Sequence, residues 1–372
     1  MLACLSPNGQ MRYDSATPPT RLVVATATGV AVLDRAGPGA AWRLSHTALQ
    51  GRHVSTMTAL PGHPGLFAGT HGDGIFYSAD GGLTWEERNE GVRIKNIYSV
   101  YGVKQPSGIT LFAGTEPASL FRSTDLGKTW QELAGIRQVP NTESWTFPAP
   151  PRIAHTKMMA FDPRDPNRFY AAIEQGAFLE TRDGGQTWRE FDSYSRDDDR
   201  AYRDVHQIML VPSRPETIYM TTGVGLYRSD NGGQNWERLT GADFRLAYPD
   251  HIALSPDEKT LFMSGAATDP GVWRRSHDAG SAILRSRDGG KSWQLLDRGV
   301  PDTAPCAIEG LTLAAYPGGY SLFVGNTDGE VYASEDGGDS WTKIAAGLGP
   351  VSKGNHFEPL SVAARAQAAA AS

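Results

Sequence analysis

Short apolar runs bounded by turn residues recur along the whole chain. In one unit the four runs are residues 54–60, 66–70, 75–77 and 84–88. Glycine- and proline-rich turns separate them, among them Pro61-Gly62. Runs of this length with such punctuation are typical of strands joined by tight turns. The unit therefore predicts four consecutive antiparallel strands, which is the composition of one propeller blade.

The same order of runs repeats along the sequence. Further second strands are predicted at residues 111–115, 169–172, 218–221, 261–264 and 322–325. A seventh unit at 22–44 lacks a first strand, and the segment 358–364 has no second strand after it. Pairing 358–364 with 22–24 would leave no open sheet edge. We therefore predict an all-β, seven-bladed β-propeller with four-stranded blades, closed by the C-terminal strand joining the N-terminal blade.

One eight-residue motif accompanies the repeats, written Ser78-Ala79-Asp80-Gly81-Gly82-Leu83-Thr84-Trp85 in its first copy. The other copies start at Ser123, Thr181, Ser229, Ser286 and Ser334. An Asp or Asn side chain can accept hydrogen bonds from its own turn, and glycine supplies positive φ. The tryptophan adds a large ring to bury between repeats. Turn chemistry explains the whole motif, so we expect it to be structural rather than catalytic.

The motif resembles the Asp box, or BNR repeat, of sialidases and related propellers. It is also similar to the photosystem II assembly factors, which have seven Asp-box-type blades and serve as scaffolds. This resemblance implies a propeller over nearly the whole chain but does not imply one function. Sialidases have six blades and an arginine triad. Here no aligned inner-strand position is arginine, since Arg52 and Arg203 each lie one residue before it, and sialidase activity is not expected.

The composition argues against some classes of binding partner. A net charge of -6 and a pI near 5.9 argue against nucleic acid. No apolar run approaches the length of a membrane span. The start, Met1-Leu2-Ala3-Cys4, does not resemble a signal peptide, and two cysteines do not suggest a disulfide scaffold, so a cytoplasmic location is expected. We expect one domain at 20–365, with flexible tails at 1–19 and 366–372, and oligomeric state stays open.

Candidate chemistry collects where the inner strands begin, on the face opposite the boxes. The long insertions 131–152, 191–203 and 266–282 should lie on that face, where loops commonly bind ligands. Aligned on the following proline, the strand starts are His53, Tyr98, His155, Asp204, Tyr248 and Glu309. Two residues further in lie Lys157, His206 and Asp250, with His251 beside the last. The C-terminal strand adds His356 and Glu358.

Several imidazoles converging on one axis indicate a metal site. We predict that His53, His155, His206 and His356, with His251 joining, hold a divalent transition metal (Cu, Fe or Zn). The candidate catalytic residues are Glu309, Glu358, Asp250, Tyr98 and Tyr248. The carboxylates would support the ligands or transfer protons, and the two phenols lie at the same level. The layout is similar to that of the carotenoid cleavage oxygenases, in which four histidines hold iron. These assignments favour a metal-dependent enzyme acting on a small-molecule substrate.

Three alternatives stay open from the sequence alone. The first is a hydrated polar channel mouth. The second is a glycoside hydrolase in which Glu309 and Glu358 stand roughly 5 to 9 Å apart, with Trp145 and Trp273 stacking on sugar rings. The third is a non-catalytic propeller that binds proteins.

Overall fold

The apolar runs become strands, and the turns between them become hairpins. The structure is a computed structural model that describes residues 2–147, 151–191, 204–241, 243–300 and 304–353. Within these residues seven sheets form, and their inner strands contact one another in sequence, with the last contacting the first blade. The seven-bladed propeller and its four-stranded blades are thus as predicted.

In blades 2 to 4 the strands follow one hairpin after another, and in blade 1 the last three strands do. Blade 1 consists of β1 (Leu2–Leu5), β3 (Arg21–Thr26), β4 (Gly29–Asp34) and β5 (Arg43–Ala48). Blade 2 consists of β6 (Val54–Ala59), β7 (Leu66–Thr70), β8 (Gly74–Ser78) and β9 (Glu86–Glu87). Blade 3 consists of β10 (Ile97–Gln105), β11 (Gly108–Thr115), β12 (Ser119–Ser123) and β13 (Gln131–Glu132). Blade 4 consists of β14 (His155–Phe161), β15 (Phe169–Glu174), β16 (Ala177–Thr181) and β17 (Arg189–Phe191).

The last three blades repeat this order. Blade 5 consists of β18 (Val205–Val211), β19 (Arg214–Thr222), β20 (Gly225–Ser229) and β21 (Glu237–Arg238). Blade 6 consists of β22 (Tyr248–Leu254), β23 (Leu261–Ala266), β24 (Ala282–Ser286) and β25 (Gln294–Leu295). Blade 7 consists of β26 (Ile308–Tyr316), β27 (Gly319–Asn326), β28 (Val331–Ser334) and β29 (Thr342–Ala345), with β2 (Arg12–Asp14) added on the channel side. Short helices lie between strands: two 3-10 turns, Ala134–Gln138 and Thr142–Ser144, and α1 (Pro270–Ser276).

Burial explains why the middle strands are so apolar. Every residue of β7 and of β15 is buried, because each blade is covered on both faces by its neighbours. Phenylalanines at equivalent places in four second strands are almost fully buried: Phe67, Phe112, Phe262 and Phe323. The outermost strands are short and polar, as in the exposed pair Glu86–Glu87 of β9. Stacking of one blade on the next therefore supplies the core.

The six boxes form the turns that the sequence predicts. The Asp80 carboxylate accepts hydrogen bonds from the backbone N–H groups of Leu83 and Thr84 and from the Thr84 hydroxyl. Burial opposes ionisation, but these bonds together outweigh it and lower the pKa of Asp80 to about 2. Gly82 has φ of 94° and lies against the preceding blade, where a Cβ would come within 3.1 Å of Val23. We call the end of the ring that carries these turns the box face, and the opposite end the site face.

The N-terminal residues correct one expectation. Residues 1–19 were expected to be a flexible tail, but Ala3, Cys4 and Leu5 are fully buried in β1, which pairs in parallel with β3. The strand β1 has only four residues, so its sequence does not differ from that of a short tail. Both edges of β3 are occupied, by β1 and by β4, so β1 takes the place predicted for the C-terminal strand. Residues 358–364 and the tail at 366–372 lie outside the described residues.

Between β1 and β2 the chain crosses the central channel. The carbonyl of Pro7 contacts His251 of blade 6, and the N–H of Asn8 donates to Ser55 of blade 2. Gly9 is required at the crossing, because a Cβ there would stand 2.1 Å from the Ser6 hydroxyl and 2.2 Å from the Met57 carbonyl. The crossing separates the site face from the box face. No helix in the described ranges is both long and apolar enough to cross a membrane.

Candidate functional site

The inner strands bring buried polar side chains together at the site face. Glu174, Asp250 and Glu309 are each at most 5% exposed, as are His155, His206, His251 and the ammonium-bearing Lys157 and Lys353. Ionisable groups are seldom buried unless they are paired or functional. The partners of each group therefore decide what the site can do.

Glu174 contacts both a histidine and a lysine. Its Oε2 lies 2.5 Å from His155 Nε2, and its Oε1 accepts a 2.6 Å hydrogen bond from Lys157 Nζ. Burial opposes a charge on Glu174, but Lys157 and His155 outweigh it and hold its pKa well below the usual value. Burial lowers the pKa of Lys157. For His155 burial is outweighed by Glu174 and by Glu116, whose Oε2 is 3.4 Å from Nδ1, so the pKa is raised.

A second group surrounds His206. One ligand atom each of Glu174, Asp204 and His206 lies within 4.8 Å of the others. His206 Nδ1 is 2.7 Å from the Pro249 carbonyl, and because a carbonyl can only accept, Nδ1 must carry the hydrogen. Nε2 is buried, hydrogen-bonds to none of the described residues, and lies 3.5 Å from Asp204 Oδ2. In the neutral imidazole this nitrogen carries the lone pair. An imidazole fixed by a backbone carbonyl is the usual arrangement of a metal ligand.

Asp250 and Glu309 hold the end of the described chain. Lys353 Nζ donates a 2.7 Å hydrogen bond to Asp250 Oδ1. Glu309 Oε2 accepts from the Lys353 N–H at 3.0 Å and from the Ser352 hydroxyl at 2.9 Å. Burial opposes the charge on Asp250, but Lys353 outweighs it and lowers the pKa of the carboxyl, while that of Lys353 is raised. These two carboxylates, predicted as catalytic, are occupied by Lys353 and its neighbour.

The predicted ligand set of histidines does not form around one point in the described residues. His53 Nε2 is 3.0 Å from the Ser352 carbonyl, and His251 Nε2 is 2.7 Å from the Pro7 carbonyl. His155 is engaged by Glu174, and among the histidines that the structure describes, His206 is the one in a group with metal-ligand spacing. The sequence could not show that strand starts would turn toward different backbone carbonyls. His356 and Glu358 lie outside the described residues.

Aromatic rings complete the site. The rings of His53, His71, Tyr98 and His155 follow one another, with centroids 4.5, 4.7 and 3.6 Å apart. The ring centroids of Tyr248 and His206 are 4.3 Å apart. Burial raises the pKa of both tyrosines well above the usual value, so both phenols are neutral. Burial, and then the neighbouring His53, lower the pKa of His71 to about 3.

The sequence comparison of inner strands missed four residues of this site. Glu174 ends a second strand, while His71 and Glu116 directly follow one, and Lys353 lies after the last blade. Second strands run back toward the site face, so an alignment of their ends would have found the first three. Lys353 has no counterpart in another repeat, and no repeat pattern could have identified it.

These features define a seven-bladed Asp-box propeller with a buried charged site on one face. The BNR/Asp-box repeat model matches residues 76–87, which contain the first box. The chain is 25% identical over 215 residues to a xyloglucanase of Paenibacillus sp and 24% identical over 243 residues to the xyloglucanase Xgh74A of Acetivibrio thermocellus. These matches cover 50% and 55% of this chain but only 21% and 28% of those proteins.

Solved structures give the same fold. An ancestral GH74 enzyme superimposes with a TM-score of 0.61 at 20% identity, covering 79% of this chain and 38% of that one. YCF48 bound to D1 peptide superimposes with a TM-score of 0.57 at 16% identity, covering 88% of this chain and 94% of that one. At these identities the similarity establishes the propeller architecture and leaves activity to the site.

Proposed function

We propose that this protein is a metal-dependent enzyme that acts on a small-molecule substrate at the site face. Glu174, Asp204 and His206 would hold a divalent transition metal. The observation that carries the proposal is His206, whose Nδ1 is held by the Pro249 carbonyl while Nε2 faces the two carboxylates without a hydrogen-bond partner among the described residues. A buried, unsatisfied nitrogen costs free energy unless another group uses it.

The charges of the site also support a cation. Among the described residues, five carboxylates lie near two ammonium groups, those of Lys157 and Lys353, and near the imidazole of His155, whose pKa is raised. The carboxylates are those of Glu116, Glu174, Asp204, Asp250 and Glu309. A divalent ion would offset this excess of negative charge. Mixed imidazole and carboxylate ligands suit zinc and iron. Such an ion polarises a substrate oxygen or lowers the pKa of bound water.

The chain's own residues have defined places around such an ion. Lys157 contacts Glu174 Oε1 and His155 contacts Glu174 Oε2, so these two residues would fix the orientation of that ligand. Gly223 leaves room for Asp204, because a Cβ there would stand 2.4 Å from Asp204 Oδ2. Lys157, whose pKa burial lowers and which contacts Glu174, is an amine that could exchange a proton with substrate.

Metal content of the purified protein tests the proposal. Dialysed protein should retain about one equivalent of zinc or iron by plasma mass spectrometry, and His206→Ala should lose it. His53→Ala is the matched control, because His53 lies on the same face but its Nε2 faces the Ser352 carbonyl. The proposal fails if the wild type holds no stoichiometric metal after reloading, or if the two variants lose metal equally.

A glycoside hydrolase is the second candidate. It is favoured by the similarity to two xyloglucanases and by the carboxylates of Glu174 and Asp204, which have oxygens within 4.8 Å of each other. Paired carboxylates at about this separation cleave glycosidic bonds without a metal. This candidate predicts release of sugar from xyloglucan oligosaccharides that survives chelation and is lost in Asp204→Asn. A stable protein partner with no metal and no turnover would instead favour a scaffold.

A further inference from the structure

A second cleft lies at the box face, on the far side of the channel crossing from the charged site. This box-face cleft has a volume of about 540 Å³. It is lined by residues 9–12, 14, 101–104, 158–163, 166, 207–210 and 212. Its size falls in the range of ligand pockets.

The walls of the cleft are mainly apolar. Tyr101, Met158, Phe161, Ile208 and Leu210 come from three successive inner strands. Met11 of the channel crossing contributes a fourth wall. Methionine and aromatic side chains adapt to varied apolar partners. Behind them Asn8 and Gly9 close the inner end, because Asn8 O accepts from Thr56 and from Tyr101 across the channel.

Strand edges, as well as side chains, face this cleft. Consecutive residues line it, such as 158–163 of blade 4, whereas side chains of a strand alternate between its two faces. A consecutive run therefore means that the edge of the strand faces the space. Within the described residues β10, β14 and β18 pair only with β11, β15 and β19, so no strand covers their channel edges. Such edges are templates for a further strand.

The protein itself shows how such an edge is used. In blade 7, β2 pairs in parallel with residues 313–315 of β26, and the Met11 carbonyl accepts from the Leu313 N–H. Leu313 is joined through strand pairing to the first residue of its box, and Gly102, Phe161 and Leu210 are joined to theirs in the same way. The same levels are therefore 102–104, 161–163 and 210–212. Eight of these nine residues line the box-face cleft. The cleft is thus the place in blades 3 to 5 that β2 fills in blade 7.

We propose that the box-face cleft binds the end of an extended peptide, which adds as a strand to the edge of β14 and inserts a large apolar side chain among Met158, Phe161 and Ile208. Main-chain hydrogen bonds give such binding its strength, and side-chain pockets give it selectivity. The closed inner end requires a chain end or a tight loop rather than a strand that passes through. This site is separate from the metal site and stands independently of it.

Fluorescence anisotropy with two labelled hexapeptides tests the proposal. One peptide carries Val-Phe-Leu at its carboxyl end, and the other carries it at its amino end, with Gly-Ser-Gly as the remainder. At least one should bind saturably, and the same peptide with N-methylated Val and Leu should bind at least about tenfold more weakly, which corresponds to about 1.4 kcal/mol.

Variants at Met11 locate the site. Only the main chain of Met11 pairs with β26, so its side chain can be changed with the strand intact. Met11→Glu should weaken peptide binding at least about tenfold, and Met11→Leu should preserve it, with unchanged melting temperatures and metal content. The proposal is overturned if neither peptide saturates, if N-methylation has no effect, or if Met11→Glu binds as well as the wild type.

Discussion

The pair formed by Lys353 and Asp250 offers the sharpest test of how this structure is held together. Their side chains are 4% and 6% exposed and are joined by a 2.7 Å hydrogen bond. Replacing Asp250 by Asn keeps the shape but leaves the Lys353 ammonium buried without its charged partner. Removing one member of such a pair costs about 3–5 kcal/mol. Glu309 and Glu174 still attract Lys353, so we expect about 3 kcal/mol, at the lower end of that range.

The double variant separates this interaction from general damage. Lys353→Met should also cost about 3 kcal/mol, because it leaves the Asp250 carboxylate unpaired. Asp250→Asn with Lys353→Met removes both charges, so its loss should be well below the sum of the two single losses. Urea unfolding at pH 7 is the assay. The pKa of Asp250 is lowered, so its stabilisation is present above its unfolded pKa and is lost only as the pH falls below it.

An exposed pair provides the control. Arg228 and Asp230 are 23% and 60% exposed at a similar distance of 2.9 Å. Surface pairs contribute about 0–1 kcal/mol, so the same cycle there should show little coupling. Additivity of the Asp250 and Lys353 effects within about 0.5 kcal/mol would refute the reasoning.

Four further outcomes are expected. Deleting residues 1–5 should abolish soluble expression or markedly lower the melting temperature, because Ala3, Cys4 and Leu5 are fully buried; retention of wild-type stability would contradict the parallel pairing of β1. His71, with a pKa of about 3, should stay neutral at pH 5 by NMR, and stability should fall as the pH drops from about 6.5 toward 3, since the unfolded state takes up the proton first. Trp273→Ala should cost about 3–5 kcal/mol and expose α1 to protease, because this ring is 1% exposed. Asp80→Ala should lower the free energy of unfolding measured in urea without changing the metal content, because Asp80 holds a turn at the box face. Loss of metal in this variant would contradict the structural role of the box.

The repeat made the fold predictable. Each copy of the box fixed the third and fourth strands of a blade, and the pattern before it gave the other two. The strands of the opening segment could not be predicted from the repeat. The reason is that β1 and β2 pair in parallel with strands of two different blades and carry no box. Nothing local in Leu2–Leu5 distinguishes a buried strand from a short tail.

The sequence predicted which side chains lie at the site face, but not which partners they contact. His155, His206 and Asp250 lie at the site face, as the register of the inner strands indicated. Which partner each side chain takes depends on sub-ångström placement of carbonyls such as those of Pro7, Pro249 and Ser352. The carbonyls of Pro7 and Ser352 belong to segments outside the repeat, so no repeat-based alignment contains them. Pro249 lies in β22 next to a shift in strand register, which the sequence alignment did not show.

The pairing of β2 with β26 also means that β2 is synthesised long before its partner strand. Arg12 pairs with Leu313, which emerges from the ribosome about 300 residues later. At roughly 5–20 residues per second, the nascent chain waits about 15 to 60 seconds before this partner exists. During that interval the early blades can stack, but the ring remains open at both ends, with apolar faces and sheet edges uncovered. Ring closure is therefore the step at which we expect chaperones to matter most for this protein.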